Sequence, residues 1–357
     1  MNYETRVASL QRKLDGLDAE ALLVTNLTNV MYLTGFSGSN GQVLVTADGA
    51  RFMTDGRYKA RAKELVRTAD VSVYTNRMTD VLKPLVEKAR ITRLAVEGRS
   101  MTLADRDDLA ARLDGVDLIT AKGPVEDLRR VKETAEVEAL RAAVALGDAT
   151  YAHILDRIRP GASEREIALE LEIYMRTNGA DTISFEPIVG SGPLSAHIHH
   201  TPSQRRFEKG DFVLLDFGAR VDGYCGDLTR TVVLGSPNEA QQRQYDAVLK
   251  VNSKALEAME PGAECRAVDA LARSTVKDAG FDSFGHGLGH GVGLEIHESP
   301  RLSRISEDTL EPGMVVTNEP GLYLEATGGV RIEDCVLITE TGTEVLTKAP
   351  KESLTVV

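Results

Sequence analysis

Carboxylates stand at the ends of apolar runs in the second half of this chain, where burial without a partner is costly. Phe212-Val213-Leu214-Leu215-Asp216-Phe217 buries an aspartate at the end of a hydrophobic run. An ionised carboxylate there costs several kcal/mol unless it is paired or bound to a metal. Asp227 follows eleven residues later, after the turn signal Val221-Asp222-Gly223, so a hairpin would set it beside Asp216. Val315-Val316-Thr317-Asn318-Glu319 ends a second apolar run in a glutamate. In the stretch 328–338, alternation puts Val330, Ile332, Val336 and Ile338 on one face and Arg331 with Glu333 on the other. Between these runs, Gly285 to Glu298 packs His286, His290 and His297 among five glycines, a composition suited to a loop folded closely round a ligand. The frame of a phosphate-binding loop is missing from it. Singly, each feature has a plain explanation: a surface ion pair, a turn carboxylate, a structural histidine. Jointly, four strand-borne carboxylates and one loop histidine point to a hard metal site suited to Mn²⁺, Co²⁺, Fe²⁺ or Zn²⁺. Four carboxylates balance two divalent cations, so a pair of ions is the natural occupancy. Cys225 and Cys335, two residues from Asp227 and Glu333, read as packing residues.

The elements that must hold these residues fall into two groups. Residues 1–125 alternate short apolar runs (Ala21–Thr25, Val30–Leu33, Gln42–Thr46, Arg51–Thr54, Val71–Tyr74, Leu94–Glu97) with helical stretches (Arg6–Leu17, Arg57–Arg67, Asp80–Ala89, Leu103–Leu113), the pattern of an α/β domain. A boundary near Lys122–Pro124 opens a second domain, 126–357, with a long charge-laced helical stretch to Arg159 and a more α+β separation of helices from strands. An internal repeat runs through it at an offset of 101. Pro160-Gly161-Ala162 recurs as Pro261-Gly262-Ala263, Arg165 as Arg266, Ile167 as Val268, Gly179 as Gly280 and Asp181 as Asp282. A duplicated half would place the site at a pseudo-twofold seam.

Composition removes other classes. Lys and Arg number 42 against 54 Asp and Glu, a net charge of −12, which disfavours nucleic acid and anionic membranes as partners. No apolar run approaches the ~18 residues of a membrane span. The charged N-terminal stretch has no signal-peptide core, and three cysteines without CxxC spacing read as reduced thiols, so a cytoplasmic setting is expected.

The order Asp216, Asp227, His290, Glu319, Glu333, spaced by 11, 63, 29 and 14, resembles that of the pita-bread metallopeptidases, and most of all the Xaa-Pro peptidases, aminopeptidase P and prolidase. The resemblance implies a creatinase-type N-terminal domain before an α+β pita-bread catalytic domain with an internal pseudo-twofold. It also implies that those five residues bind two divalent ions, with manganese expected and cobalt or zinc as alternatives. Ser195-Ala196-His197-Ile198-His199-His200 matches the stretch bearing an active-site histidine. Spacing selects His199 over His200, although Ile198 stands where many relatives have proline. The same resemblance gives His199, His297, Glu319 and Arg331 as catalytic residues and His286, His297 and Arg331 as substrate-binding residues. The implied reaction is hydrolysis of the N-terminal Xaa-Pro bond of proline-containing peptides by a homo-oligomer, most simply a dimer. Gly35-Phe36-Ser37-Gly38-Ser39-Asn40-Gly41 and Thr54-Asp55-Gly56-Arg57-Tyr58 look more like aminopeptidase P, so Xaa-Pro-Yaa peptides are the expected substrates. Xaa-Pro dipeptides (a prolidase) are the alternative, and a non-catalytic pita-bread binding protein is the third reading.

Overall fold

A computed structural model describes residues 1–357. The chain divides into two units, Met1–Arg129 and Arg130–Val357. In the first, strands β1 (Ala21–Val24), β2 (Gln42–Thr46), β3 (Gly49–Asp55), β4 (Asp70–Tyr74), β5 (Arg93–Glu97) and β6 (Asp117–Ala121) form one mixed sheet in the order β4-β3-β2-β1-β5-β6. Helices α1 (Tyr3–Lys13), α2 (Leu27–Thr34), α3 (Lys59–Leu65), α4 (Thr79–Ala89), α5 (Leu103–Arg112) and α6 (Pro124–Arg129) connect and flank its strands. Val30–Leu33 lies inside α2. Asn26 caps that helix by accepting from Thr28 and Asn29, and Gly35, at φ 75°, ends it. Those caps decide for helix where the apolar run alone was ambiguous.

The two glycine-rich motifs of this unit bind each other. Asn40 Nδ2 donates to Asp55 at 2.5 Å, Arg57 Nη2 donates to Asp55 at 2.8 Å, and the Ser39 and Tyr58 hydroxyls lie 2.6 Å apart. Their resemblance to aminopeptidase P therefore coincides with a local turn network.

In the second unit the expected long helical stretch breaks after α6. Helix α7 (Thr134–Leu155) restarts with a capping box in which Glu133 and Glu136 satisfy each other's backbone N–H groups. Helices α8 (Glu164–Thr177) and α10 (Cys265–Asp278) have fourteen residues each and are offset by 101, as the repeat predicts. Gly161 and Gly262 both take φ 87°, and equivalent bridges, Ser163 with Arg206 and Glu264 with Thr309, precede the two helices. Helix α9 (Glu239–Ala258) packs on α10 as α7 packs on α8. Each pair covers its own apolar core, one around Ile154, Leu171 and Phe217, the other around Val251, Val268 and Val336. A true duplication accounts for all of these matches.

Four small sheets complete the unit. The short strands β7 (Thr182–Ile183), β10 (Ala219–Val221) and β11 (Tyr224–Cys225) pair in the order β11-β10-β7. Strands β8 (Ile188–Ser191), β9 (Phe212–Phe217), β12 (Leu228–Val233) and β20 (Thr355–Val356) run β20-β12-β9-β8. Strands β13 (Gly289–Gly291), β14 (Glu298–Leu302), β15 (Val315–Asn318), β18 (Asp334–Thr339) and β19 (Gly342–Val345) run β14-β13-β15-β18-β19, and β16 (Gly321–Leu324) pairs with β17 (Gly328–Arg331). No helix in the chain is long and apolar enough to cross a membrane.

Candidate metal centre

Each half brings two carboxylates to the centre in the same way. Asp216 sits near the end of β9 and Asp227 immediately before the returning antiparallel strand β12. Glu319 follows β15, and Glu333 immediately precedes the antiparallel β18. The break between β17 and β18 falls at Ile332–Glu333, so Arg331 ends a strand and Glu333 lies in the link beyond it. Val330, Ile332, Val336 and Ile338 still share one core, as the alternation predicts. The halves are sewn together here. The Glu333 N–H donates to the Thr229 carbonyl at 3.1 Å, and the Arg331 N–H donates to the Thr231 hydroxyl at 3.1 Å.

His290 enters from β13, whose neighbour β15 runs so close that a Cβ on Gly289 would collide with the Thr317 carbonyl. Its Nδ1 lies 3.1 Å from the Gly291 carbonyl, an acceptor, so Nδ1 carries the proton and the Nε2 lone pair is left free. Nε2 lies 3.4 Å from Glu319 Oε1 and 3.7 Å from Asp227 Oδ2. Donor atoms of Asp227, His290 and Glu333 all fall within 4.8 Å of one another. Asp216 stands slightly apart: one oxygen accepts from Arg331, and the buried Oδ1 has no hydrogen-bond partner.

Electrostatics are severe in this enclosure. Burial, then the charges of Glu333, Asp216 and Glu319, push the Asp227 carboxyl well above its usual range, and burial with Glu319 and Asp216 does the same to Glu333. Burial lowers His290 to about 3, so its imidazole is neutral. Four mutually repelling carboxylates, an orphaned oxygen and a free imidazole lone pair form a donor set that suits divalent cations. The thiols do not belong to it. Cys335 and Cys225 are buried, burial pushes both upward, and Cys335 Sγ donates to the Asp227 carbonyl at 3.3 Å.

Around the cage, the structure separates the adjacent histidines. His200 Nε2 lies 2.8 Å from Glu164, a fully buried carboxylate that also accepts from Ser191 and Ser203. His199 is exposed and close enough to Asp216, His286 and His297 to act on their charges. His200 therefore holds the loop, and His199 faces the centre. His297 is exposed and packs edge-on against His290 at 4.4 Å between ring centres. His286 donates from Nδ1 to the Gly287 carbonyl at 2.7 Å and accepts at Nε2 from the Tyr323 hydroxyl at 2.9 Å, which in turn accepts from Arg331 at 2.9 Å. Burial, with Arg331 nearby, lowers His286 to about 4, consistent with that neutral tautomer.

Four residues escaped the sequence reading. Tyr323 links Arg331 to His286. Asp269 and Arg273, one helical turn apart on α10, hold the glycine loop through the Leu288 N–H and the His286 carbonyl. The i,i+4 spacing of that pair was the available signal. Arg301 on β14 lies directly opposite His290 on β13, so their side chains share a face. It is exposed and makes no ion pair within the chain.

Residues 6–131 match the Creatinase/Prolidase N-terminal domain, and residues 138–340 match metallopeptidase family M24. The fold and site thus define a two-domain hydrolase, and the chain belongs to metallopeptidase family M24, whose members depend on a pair of metal ions. It is 36% identical over 351 residues to a Xaa-Pro dipeptidase of Pyrococcus furiosus, covering 98% of this chain and 99% of the relative. It superposes on a Xaa-Pro dipeptidase from Bacillus anthracis with a TM-score of 0.97 at 38% identity, each chain fully covered. The TM-score against an X-Pro aminopeptidase from Thermotoga maritima is 0.90 at 34% identity, covering 97% and 100% of the two chains.

Substitution of the two neighbouring histidines should give different results. His199→Ala should leave metal content unchanged and lower kcat by about 10²–10³-fold, the loss of one oxyanion donor. His200→Ala should lower kcat less, by loosening the loop. Metal analysis beside steady-state kinetics checks both; loss of a metal equivalent in His199→Ala would make it a ligand.

Glu164 has its own signature. Burial alone would raise it, but bonds from Ser203, His200 and Ser191 hold it below its usual 4.5. A depressed carboxylate stabilises the fold above its unfolded-state value, and that contribution is lost as pH falls through the folded value. Glu164→Gln should lower Tm at pH 7 yet flatten the fall of Tm below about pH 4.5, read from thermal melts across that range.

Proposed function

We propose that this metallopeptidase is a Xaa-Pro dipeptidase, with Asp216, Asp227, His290, Glu319 and Glu333 holding two divalent ions, manganese foremost. The observation that carries the dipeptide reading is the unpaired Arg301 on the face of His290. A free proline carboxylate would meet four site carboxylates, so a dipeptidase needs a cation to receive it. Arg301 is that cation, and the similarity to two Xaa-Pro dipeptidases supports the same choice. A cytosolic location fits three buried, unpaired thiols.

When bound, the ions supply a Lewis acid for the scissile carbonyl and acidify the attacking water. The chain's own residues do the rest. Glu319 is the least enclosed of the four carboxylates, placed to take a proton from water and deliver it to the proline nitrogen. His199 and His297, both open to the centre, donate to the carbonyl oxygen as it gains charge. Arg331 keeps Asp216 oriented, and through Tyr323 it fixes the His286 ring. An X-Pro bond has no N–H, so recognition relies on the two ends of the substrate.

Kinetics on Xaa-Pro and Xaa-Pro-Yaa substrates with the same first residue and the same metal test this reading. Higher kcat/KM on dipeptides is expected; a clear preference for tripeptides would restore the aminopeptidase alternative.

A further inference from the structure

A buried polar cluster joins helix α9 to the two backbone segments beside Glu319 and Glu333. Asn252, fully buried on α9, donates from Nδ2 to the carbonyl oxygens of Asn318 and Ile332, each at 3.2 Å. Those residues immediately precede Glu319 and Glu333. The Asn318 side chain returns a bond to the Asn252 carbonyl at 2.9 Å. Lys351 donates to Asn252 Oδ1 at 2.7 Å and pairs with Asp334. Arg230, 1% exposed, pairs with Asp334 at 2.8 Å and donates to the Glu333 carbonyl at 2.5 Å.

An asparagine on the buried face of a helix is expensive unless its amide is satisfied. Here the amide oxygen and nitrogen are both engaged, and the nitrogen spans two backbone segments, the end of β15 and the link between β17 and β18. Glu319 follows β15 and Glu333 precedes β18, so one side chain sets the spacing of the peptide units beside both carboxylates. Asn252 touches neither carboxylate.

We propose that Asn252 is a positioning residue for the metal centre, clamping the backbone beside Glu319 and Glu333 so that both carboxylates reach the same pair of ions. This rests on the proposed ligand set. Orientation of ligands by outer partners is typically worth about 10–100-fold in metal affinity. Asn252→Ala removes the clamp. Asn252→Ser keeps a single hydroxyl hydrogen, which can serve at most one of the two carbonyls.

The test uses chelator-stripped full-length protein titrated with Co²⁺, followed by calorimetry and by the visible absorption of the bound ion. Wild type should take up two equivalents. Asn252→Ala should bind Co²⁺ at least about tenfold more weakly with an altered visible band, and Asn252→Ser should fall between. A purely structural asparagine would lower Tm and leave cobalt affinity and spectrum untouched, so wild-type binding in Asn252→Ala overturns the proposal. If that variant does not fold, Asn252→Ser indistinguishable from wild type does the same. A wild-type protein that binds no Co²⁺ overturns the ligand assignment itself, a separate failure read before any variant is made.

Discussion

Asp227→Asn should lower the rate of hydrolysis by about 10³-fold and release metal from the purified protein. Asp227 lies among the donor atoms of His290 and Glu333 and has no cation of its own within the chain. Asparagine keeps the shape and loses the charge that offsets a divalent ion. The lost ion takes with it several kcal/mol of transition-state stabilisation, which is about three decades in rate. Exhaustive chelation of wild type should reproduce this state, and Mn²⁺ or Co²⁺ should reverse it in wild type but not in the variant. The variant should also melt at or above the temperature of stripped wild type. It removes one of four buried charges that repel each other when no cation is present. Full activity in metal-free wild type, by elemental analysis, would overturn the dinuclear site.

The second large effect concerns Arg301. A charge-assisted bond from its guanidinium to the proline carboxylate is worth about 1.5–3 kcal/mol, or roughly 10–100-fold in affinity. Arg301→Ala should therefore raise KM for Xaa-Pro by that factor with a smaller change in kcat, because the contact persists from ground state to transition state. Xaa-Pro-amide, which lacks the carboxylate, should be hydrolysed about equally by wild type and variant. Arg301→Lys should recover part of the loss as a point charge without the planar fork. Equal losses on acid and amide would mean that Arg301 acts on His290 and not on substrate.

The site was legible where its residues broke a local rule. Asp216, Glu319 and Glu333 interrupt or end apolar runs of sequence, and His290 sits in a glycine run, so each stands out against its neighbours without knowledge of the fold. The 101-residue repeat was legible for the same reason, since Pro-Gly-Ala turns recur before helices of equal length. Residues whose importance comes from distant partners stayed hidden. Asn252 looks like any polar residue of a charged helix until β15 and β18 reach it, and Glu164 like an ordinary first-turn acid until the loop 191–203 folds over it. Arg301 lies in an unremarkable stretch and matters only through its register with His290. The lean toward longer peptides drew on a related ambiguity. Among the residues taken as signs of a substrate preference, Asn40 and Arg57 both bond Asp55, and Tyr58 bonds Ser39.

The duplicated architecture has a consequence for directionality. Two halves contributing matched pairs of carboxylates would, alone, present a peptide with a cage that looks the same after half a rotation. A substrate could then bind head-first or tail-first, and one of those poses would be sterile. What breaks the symmetry lies outside the carboxylates. Strand β13 carries His290 opposite Arg301, whereas Ile188–Ser191 of β8, next to β9 in the other half, carries no ionisable side chain. The other half supplies the His199 loop instead. Polarity thus rests on residues outside the symmetric frame of carboxylates. Exchanging decorations between the halves is a route to altering which end of a peptide is read, with the carboxylates left in place.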